Sequence, residues 1–164
     1  MFAENRRERY GFIRYKSDQK RYSGGCAMNT AYRVWDGENM HYGDDVNLTL
    51  FIRDKVWTLY KDSAGLCPDI VASSQDGKSV LMWGTGLKDK SLYDGDIVKY
   101  GTFNYQNGVI CYDTHQATFK IVPVLFYLEN AGNGGWTGNS IRKTVPLKVI
   151  GDVYQNPELL EGAE

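Results

Sequence analysis

The stretch Tyr93-Asp94-Gly95-Asp96-Ile97-Val98-Lys99-Tyr100-Gly101 sets two readings of the chain against each other. In the first, Asp94 and Asp96 join Asp89, just upstream in GLKDKSL, as a catalytic carboxylate cluster. In the second, Asp94-Gly95-Asp96 is a turn that delivers the chain into a strand, and the charges form its solvated edge. Acid–base work by paired carboxylates needs the two to converge across a cleft with their pKa values pushed apart. Nothing close by in the sequence supplies a histidine or a second acid at a defined spacing. The turn reading explains each residue in place. Gly95 supplies a backbone shape that a β-carbon disfavours. Asp96 can accept local backbone N–H groups. Ile97 and Val98 then point to opposite faces of a strand. The turn reading is preferred, and it makes the chain mainly β.

Gly-Asp-Ile-Val followed by alternating residues also looks like the first strand of an SH3-like barrel. The expected fold is therefore a small SH3-like or related β-barrel from Ser79 to Tyr154. An N-terminal β-hairpin layer, Ala31 to Asp62, is expected to pack on it. Outward from the opening stretch the pattern is one of hairpins. AYRVW (Ala31–Trp35) is aromatic and β-branched, and DGEN supplies turn chemistry before MHY. In LTLFIRDKVWTLYKD, Leu48, Leu50 and Ile52 share a face, Arg53-Asp54-Lys55 makes a polar tip, and Val56, Thr58 and Tyr60 alternate on the return. Pro68 and SSQDGKS read as loop, and SVLMW as a short strand. Asn107-Gly108 is the strongest hairpin signal in the chain. ATFKIVPVLFYL reads as continued strand, with Pro123 implying an edge or a break. ENAGNGGWTGNS is a loop, LKVIGDVYQ a last strand, and ELLEGAE one terminal helical turn.

Five motifs in order, AYRVWDGENM, LMWGTGLKD, YDGDIVKYG, GVICYD and VIGDVYQNPELL, resemble the YopX family of phage and prophage proteins. That family typically carries F-R-x-W-D, Y-T-G-L-K-D-K, Y-E-G-D-I-V and V-I-G-N-I-Y-E-N-P-E-L-L elements. The resemblance spans about Thr30 to Leu160. This chain departs from it at Gly84, where the family has tyrosine, in the shorter Lys90–Leu92 turn, and in ENAGNGGWTGNSIRK (Glu129–Lys143). The resemblance implies a small β-rich protein encoded by a mobile element and acting in the host bacterial cytoplasm. It carries over no catalytic residue.

Composition narrows the remaining classes. Eighteen glycines and 12 tyrosines in 164 residues favour short strands and many turns. Three widely spaced cysteines, Cys26, Cys67 and Cys111, suit reduced thiols. No apolar run is long enough to span a bilayer, so no membrane partner is expected. A formal net charge of -1 argues against a surface that binds polyanions everywhere. Charge is nevertheless uneven: residues 1–27 carry seven Lys/Arg against three acids, leaving the remainder at -5. Residues 1–27 thus form a basic extension to a single β domain over 28–164. Either Tyr10–Tyr15 (YGFIRY) is a strand with a basic flank, or Met28 is the native start. For the latter, Gly24-Gly25 can be encoded as a ribosome-binding sequence shortly before the Met28 codon.

The candidate sites divide by chemistry. Cys111, Asp113 and His115 alternate in VICYDTHQ and share a strand face, so a metal would need a fourth ligand such as His41. A buried cysteine beside an exposed Asp and His needs no metal, and no metal or other cofactor is expected. Cys111 and His115, four residues apart along a strand, stand about 13 Å apart, too far for proton transfer. GNGGWTGN lacks the strand, helix and lysine of a phosphate loop. Its Trp136, with Asn133, Arg142 and Lys143, reads better as a binding loop on a β scaffold. The alternative is that Trp136 folds back on the barrel. The expected function is a non-enzymatic accessory protein that binds a host protein, as a host-takeover or anti-defence inhibitor. Homo-oligomers are plausible through uncovered edge strands. Two alternatives remain: nucleic-acid binding through the basic, tyrosine-rich N-terminal run, and an oligomeric sponge for a small nucleotide signal.

Overall fold

The computed structural model describes residues 31–65, 67–87, 91–102, 104–130, 136–141 and 146–161. The Tyr10–Tyr15 strand and the Met28 start lie outside them. The described chain forms three antiparallel sheets. Strands β1 (Tyr32–Trp35) and β2 (Met40–Tyr42) make the first predicted hairpin, and β6 (Val80–Trp83) pairs with the other edge of β1. Strands β3 (Leu48–Arg53), β4 (Val56–Lys61) and β5 (Asp69–Ser73) form the second sheet. The third orders β10 (Asn139–Ser140), β9 (Thr118–Pro123), β8 (Gln106–Asp113), β7 (Asp96–Tyr100) and β11 (Leu147–Asp152). Helices α1 (Val124–Asn130) and α2 (Glu158–Glu161) complete the elements.

The local chemistry explains the turns. Asp36 Oδ1 accepts the Glu38 and Asn39 amides at 2.8 and 2.7 Å and so closes the β1–β2 connection. At the β3–β4 tip, Asp54 and Lys55 both take positive φ, 50° and 68°, as a two-residue hairpin with the twist of its strands requires. Gly95 adopts φ 82°, the conformation anticipated for it. There its N–H donates to Ile110 O at 2.8 Å and its carbonyl accepts Val153 N–H at 3.0 Å. The turn thus ties β8 to the chain leaving β11.

Ile97 and Val98 part to opposite faces, as alternation demands. Val98 joins Leu92, Tyr100, Ile110 and Ile121 in one core cluster. Ile97 joins Val109, Cys111, Val122 and Val124 in another. The five-stranded sheet is therefore buried on both sides at its centre. A third cluster, Val34, Leu59 and Ala72, joins the β1 and β3–β5 sheets.

Three expectations are corrected. No closed barrel forms among the described residues: the five-stranded sheet stays open, with β10 and β11 as its two edges. Asn107-Gly108 is no turn but lies within β8, where Gly108 pairs with Val98 on one side and Pro123 on the other. A Cβ on Gly108 would sit 2.8 Å from both Ile121 Cγ2 and Tyr100 Cε1, so glycine is there for close approach. The strand through ATFKIVPVLFYL stops at Pro123, and Val124–Asn130 is helix α1. Proline has no N–H to continue a ladder, and Leu, Tyr and Glu accept a helix once the ladder ends.

Candidate functional site

The opening stretch holds a charge network of a kind its sequence did not show. Arg33, on β1, reaches Asp96 at the start of β7: Nη1 lies 2.7 Å from Oδ1, with the two side chains 5% and 2% exposed. Its Nη2 donates to the Asp94 carbonyl at 3.3 Å, and the guanidinium lies 5.1 Å from the Tyr93 ring centroid. Asp96 Oδ2 accepts the Tyr93 amide, and Asp94 Oδ1 accepts the Tyr112 amide. Asp94-Gly95-Asp96 is a turn, but its charges are not a solvated edge. Burial raises both carboxyl pKa values above the ordinary 3.8, against the opposing pull of Arg33 and the backbone amides. The Asp94 and Asp96 carboxylates bond to Arg33, to the neighbouring Tyr93 amide and to the Tyr112 amide on β8, which is the work of a clamp joining β1, β7 and β8. Asp89 lies outside the described residues.

The residues considered for metal or nucleophile chemistry are dispersed. Cys111 is buried in the Ile97 cluster, where burial and then the Asp94 charge push its thiol well up, away from thiolate chemistry. Asp113 is committed to Lys120 Nζ at 2.6 Å and to the His115 and Gln116 amides. The Lys120 bond, against burial, holds the Asp113 carboxyl below its usual value. His115 is exposed beyond the end of β8. His41 stands on β2 with Nε2 2.7 Å from Asp36 Oδ2. Among the described residues no three His, Cys, Asp or Glu side chains group to hold a metal.

The Asp36–His41 pair yields a pH prediction. Burial raises the Asp36 pKa, but His41 and the Asn39 and Glu38 amides overcome it and bring it to about 2, from 3.8. A folded pKa below the unfolded one stabilises above pH 3.8 and loses that stabilisation as pH falls toward 2. Carboxyl NMR titration of His41→Asn is expected to show Asp36 titrating higher than in the wild type. An unchanged Asp36 would mean the backbone amides alone set its value.

The third grouping combines a residue picked from sequence with residues that were missed. The Trp136 ring stacks on Tyr127 of α1, centroids 5.6 Å apart and planes at 17°. Its carbonyl accepts Lys120 Nζ at 2.8 Å. Trp136 thus folds back against the Ile97 cluster, half-buried. Burial, followed by Tyr154, Cys111 and Asp94, pushes the Tyr127 phenol up to about 12. Val124 and Tyr127 occupy the inner side of α1, and Leu125, Phe126 and Leu128 face outward, 57%, 42% and 51% exposed. At about 100° per residue these three side chains cover roughly 160° of the helix circumference. Sequence reasoning missed them because it read α1 as strand, although Pro123 marked the break. Asn133, Arg142 and Lys143 lie outside the described residues.

No helix among the described residues is long and apolar enough to cross a membrane. Two hollows on the surface of the described residues differ in character. One of about 570 Å³ is walled by tyrosines and carboxylates around Arg33. The other, of about 320 Å³, is walled by Leu87, Tyr112, Phe119 and Ile141, with the buried Thr85 hydroxyl unpartnered beside them. Neither is lined by a described cation other than Arg33, which Asp96 already neutralises.

The profile described as "YopX protein" matches residues 31–161. The chain is 38% identical over 140 residues to the SPbeta prophage-derived uncharacterized protein YopX of Bacillus subtilis strain 168. That match covers 84% of this chain and 100% of the relative. It also resembles the crystal structure of protein yopX from Bacillus subtilis, with a TM-score of 0.64 and 34% identity over 80% of this chain and 98% of that one.

Proposed function

The chain belongs to the YopX family, and we propose that it is a non-enzymatic, prophage-encoded accessory protein that binds a host protein in the bacterial cytoplasm. Occupying that host protein is how it serves host takeover or counters defence. The observation that carries this reading is the outer face of α1. Three large apolar side chains, Leu125, Phe126 and Leu128, are solvent-exposed within one seven-residue helix. Contiguous exposed apolar groups on a rigid mount mark protein-interaction surfaces, and aromatic anchors at their centre carry much of the binding energy. The mount is anchored because Val124 is buried in the core and the Tyr127 ring of the helix stacks on Trp136. Trp136 keeps its place in the proposal as the residue that props this face from behind.

The prophage origin rests on the name of the Bacillus relative. The nucleic-acid alternative drew on residues 1–27, and the exposed α1 face adds Glu129 rather than a cation. The test is positional. A photo-crosslinking amino acid replaces Leu128 in one variant and the exposed Gln75 in another, and each is expressed in the host. One host protein should be captured from position 128 and not from 75. Equal capture from both positions, or adducts of the chain with itself alone, defeats the reading. Leu128→Asp should leave folding stability within about 0.5 kcal/mol, as exposed substitutions do. It should also abolish the position-128-dependent complex, seen by co-purification of the tagged chain.

A further inference from the structure

The cleft of about 570 Å³ beside Arg33 lies where β2 and the turn after it face the start of β7. Tyr42 and Tyr93 wall it, their rings edge to face with centroids 6.2 Å apart. Asp44 and Asp45 stand at its exposed rim, and the buried Asp96 forms part of its floor. The floor already holds one cation in the manner the rim invites: Arg33 lies over the Tyr93 ring and pairs with Asp96. That pairing consumes the only cation among the described residues of the lining. Asp96 Oδ1 receives no hydrogen bond beyond this ion pair, and Asp152, also buried, adds its charge to Asp96. Asp45 Oδ2 accepts the Tyr42 amide, and neither Asp44 nor Asp45 has a cation partner among the described residues.

Burial first, and then the Asp44 charge, raises the Tyr93 pKa, with Arg33 opposing. Among the described residues no three ligating side chains converge there to hold a bare divalent ion. A flat, delocalised cation does suit the cleft: guanidinium stacks on aromatic faces and forks to carboxylates, and ammonium does neither as well.

We propose that this cleft is a recognition site for an arginine side chain displayed by a partner protein, with Tyr42 and Tyr93 as its walls and Asp44 and Asp45 as its counter-charges. The site does not depend on the α1 face, and the two can fail separately. The full chain would be titrated, by NMR of its tyrosine rings, with a short glycine–serine peptide carrying one central arginine. Parallel titrations would use the same peptide with lysine or with citrulline, the neutral isostere. The Tyr42 and Tyr93 rings should shift saturably with arginine, less with lysine and not with citrulline. Binding should weaken about tenfold in D44N/D45N, as removal of two partly exposed ion pairs implies. The asparagine at 45 keeps an oxygen for the Tyr42 amide, so the fold should be unaffected. Citrulline binding as well as arginine, unchanged affinity in D44N/D45N, or no ring shift at millimolar peptide would each overturn the assignment.

Discussion

Replacing Arg33 by alanine is expected to cost about 3–5 kcal/mol of folding stability, because it leaves a buried carboxylate without its cation. Asp96 is 1% exposed and Arg33 4%, so the carboxylate relies on Arg33 rather than on water for its counter-charge. The same substitution removes the hydrogen bond to the Asp94 carbonyl and the contact with Tyr93, both of which hold β1 against the start of β7. Beside the isolated Gly84–Tyr93 bridge, the pair is what ties β1 to the start of β7, so its loss should loosen that junction as well. Urea denaturation of wild type and Arg33→Ala measures the difference.

The pH dependence has a definite sign. The Asp96 pKa is already raised by burial, with Arg33 opposing. Without Arg33 it rises further, so the folded variant binds a proton over a wider range than the unfolded chain. Its deficit relative to wild type should therefore shrink at acid pH and grow as pH rises toward neutrality. Arg33→Met combined with Asp96→Leu should recover much of the loss, since replacing both members of a buried pair by apolar groups is often neutral or better. A loss below about 1 kcal/mol in Arg33→Ala would place the pair among those water still solvates.

Gly108→Val is expected to destabilise by about 3 kcal/mol, at the upper end of what overpacking a filled core costs. Its new Cβ meets Ile121 Cγ2 and Tyr100 Cε1 at 2.8 Å and the Val122 carbonyl oxygen at 3.0 Å. The two side chains belong to the Val98 cluster and cannot withdraw without opening a gap there. The carbonyl belongs to the neighbouring strand, so relief requires β8 and β9 to part. Asn107→Ala is the control: Asn107 lies half-buried within the same strand, and its replacement should cost clearly less. Were Asn107-Gly108 a hairpin turn, both substitutions would act through turn geometry, and the cost would not depend on the size of the residue at 108. Chemical denaturation of Gly108→Ala and Gly108→Val distinguishes the two, with Val expected well above Ala.

That misreading shows what was legible and what was not. The Tyr32–Tyr42 and Leu48–Lys61 hairpins were readable because alternation and a polar tip are local signals. The division of Ile97 from Val98 was readable for the same reason. Asn-Gly is also a local signal, yet at Gly108 a non-local demand wins: the ring of Tyr100 and the side chain of Ile121 need the space. The barrel failed because closure depends on whether edge strands meet. After Pro123 the chain turns into α1 instead of extending the ladder. Arg33 read as one residue of a hairpin, since its partner Asp96 is far along the chain. Trp136 stands out in the sequence by its isolation in a glycine-rich loop, and the structure folds it back against the Ile97 cluster. The apolar face it supports was missed, because Val-Leu-Phe-Tyr-Leu satisfies strand and helix alike until its packing is seen.

Native mass spectrometry of the tagged chain purified from its host decides whether the α1 face binds a host protein. One host protein should be bound in fixed stoichiometry to the wild-type chain and be absent from Leu128→Asp. A bare chain, a homo-oligomer, or a complex of the same mass with Leu128→Asp would contradict it.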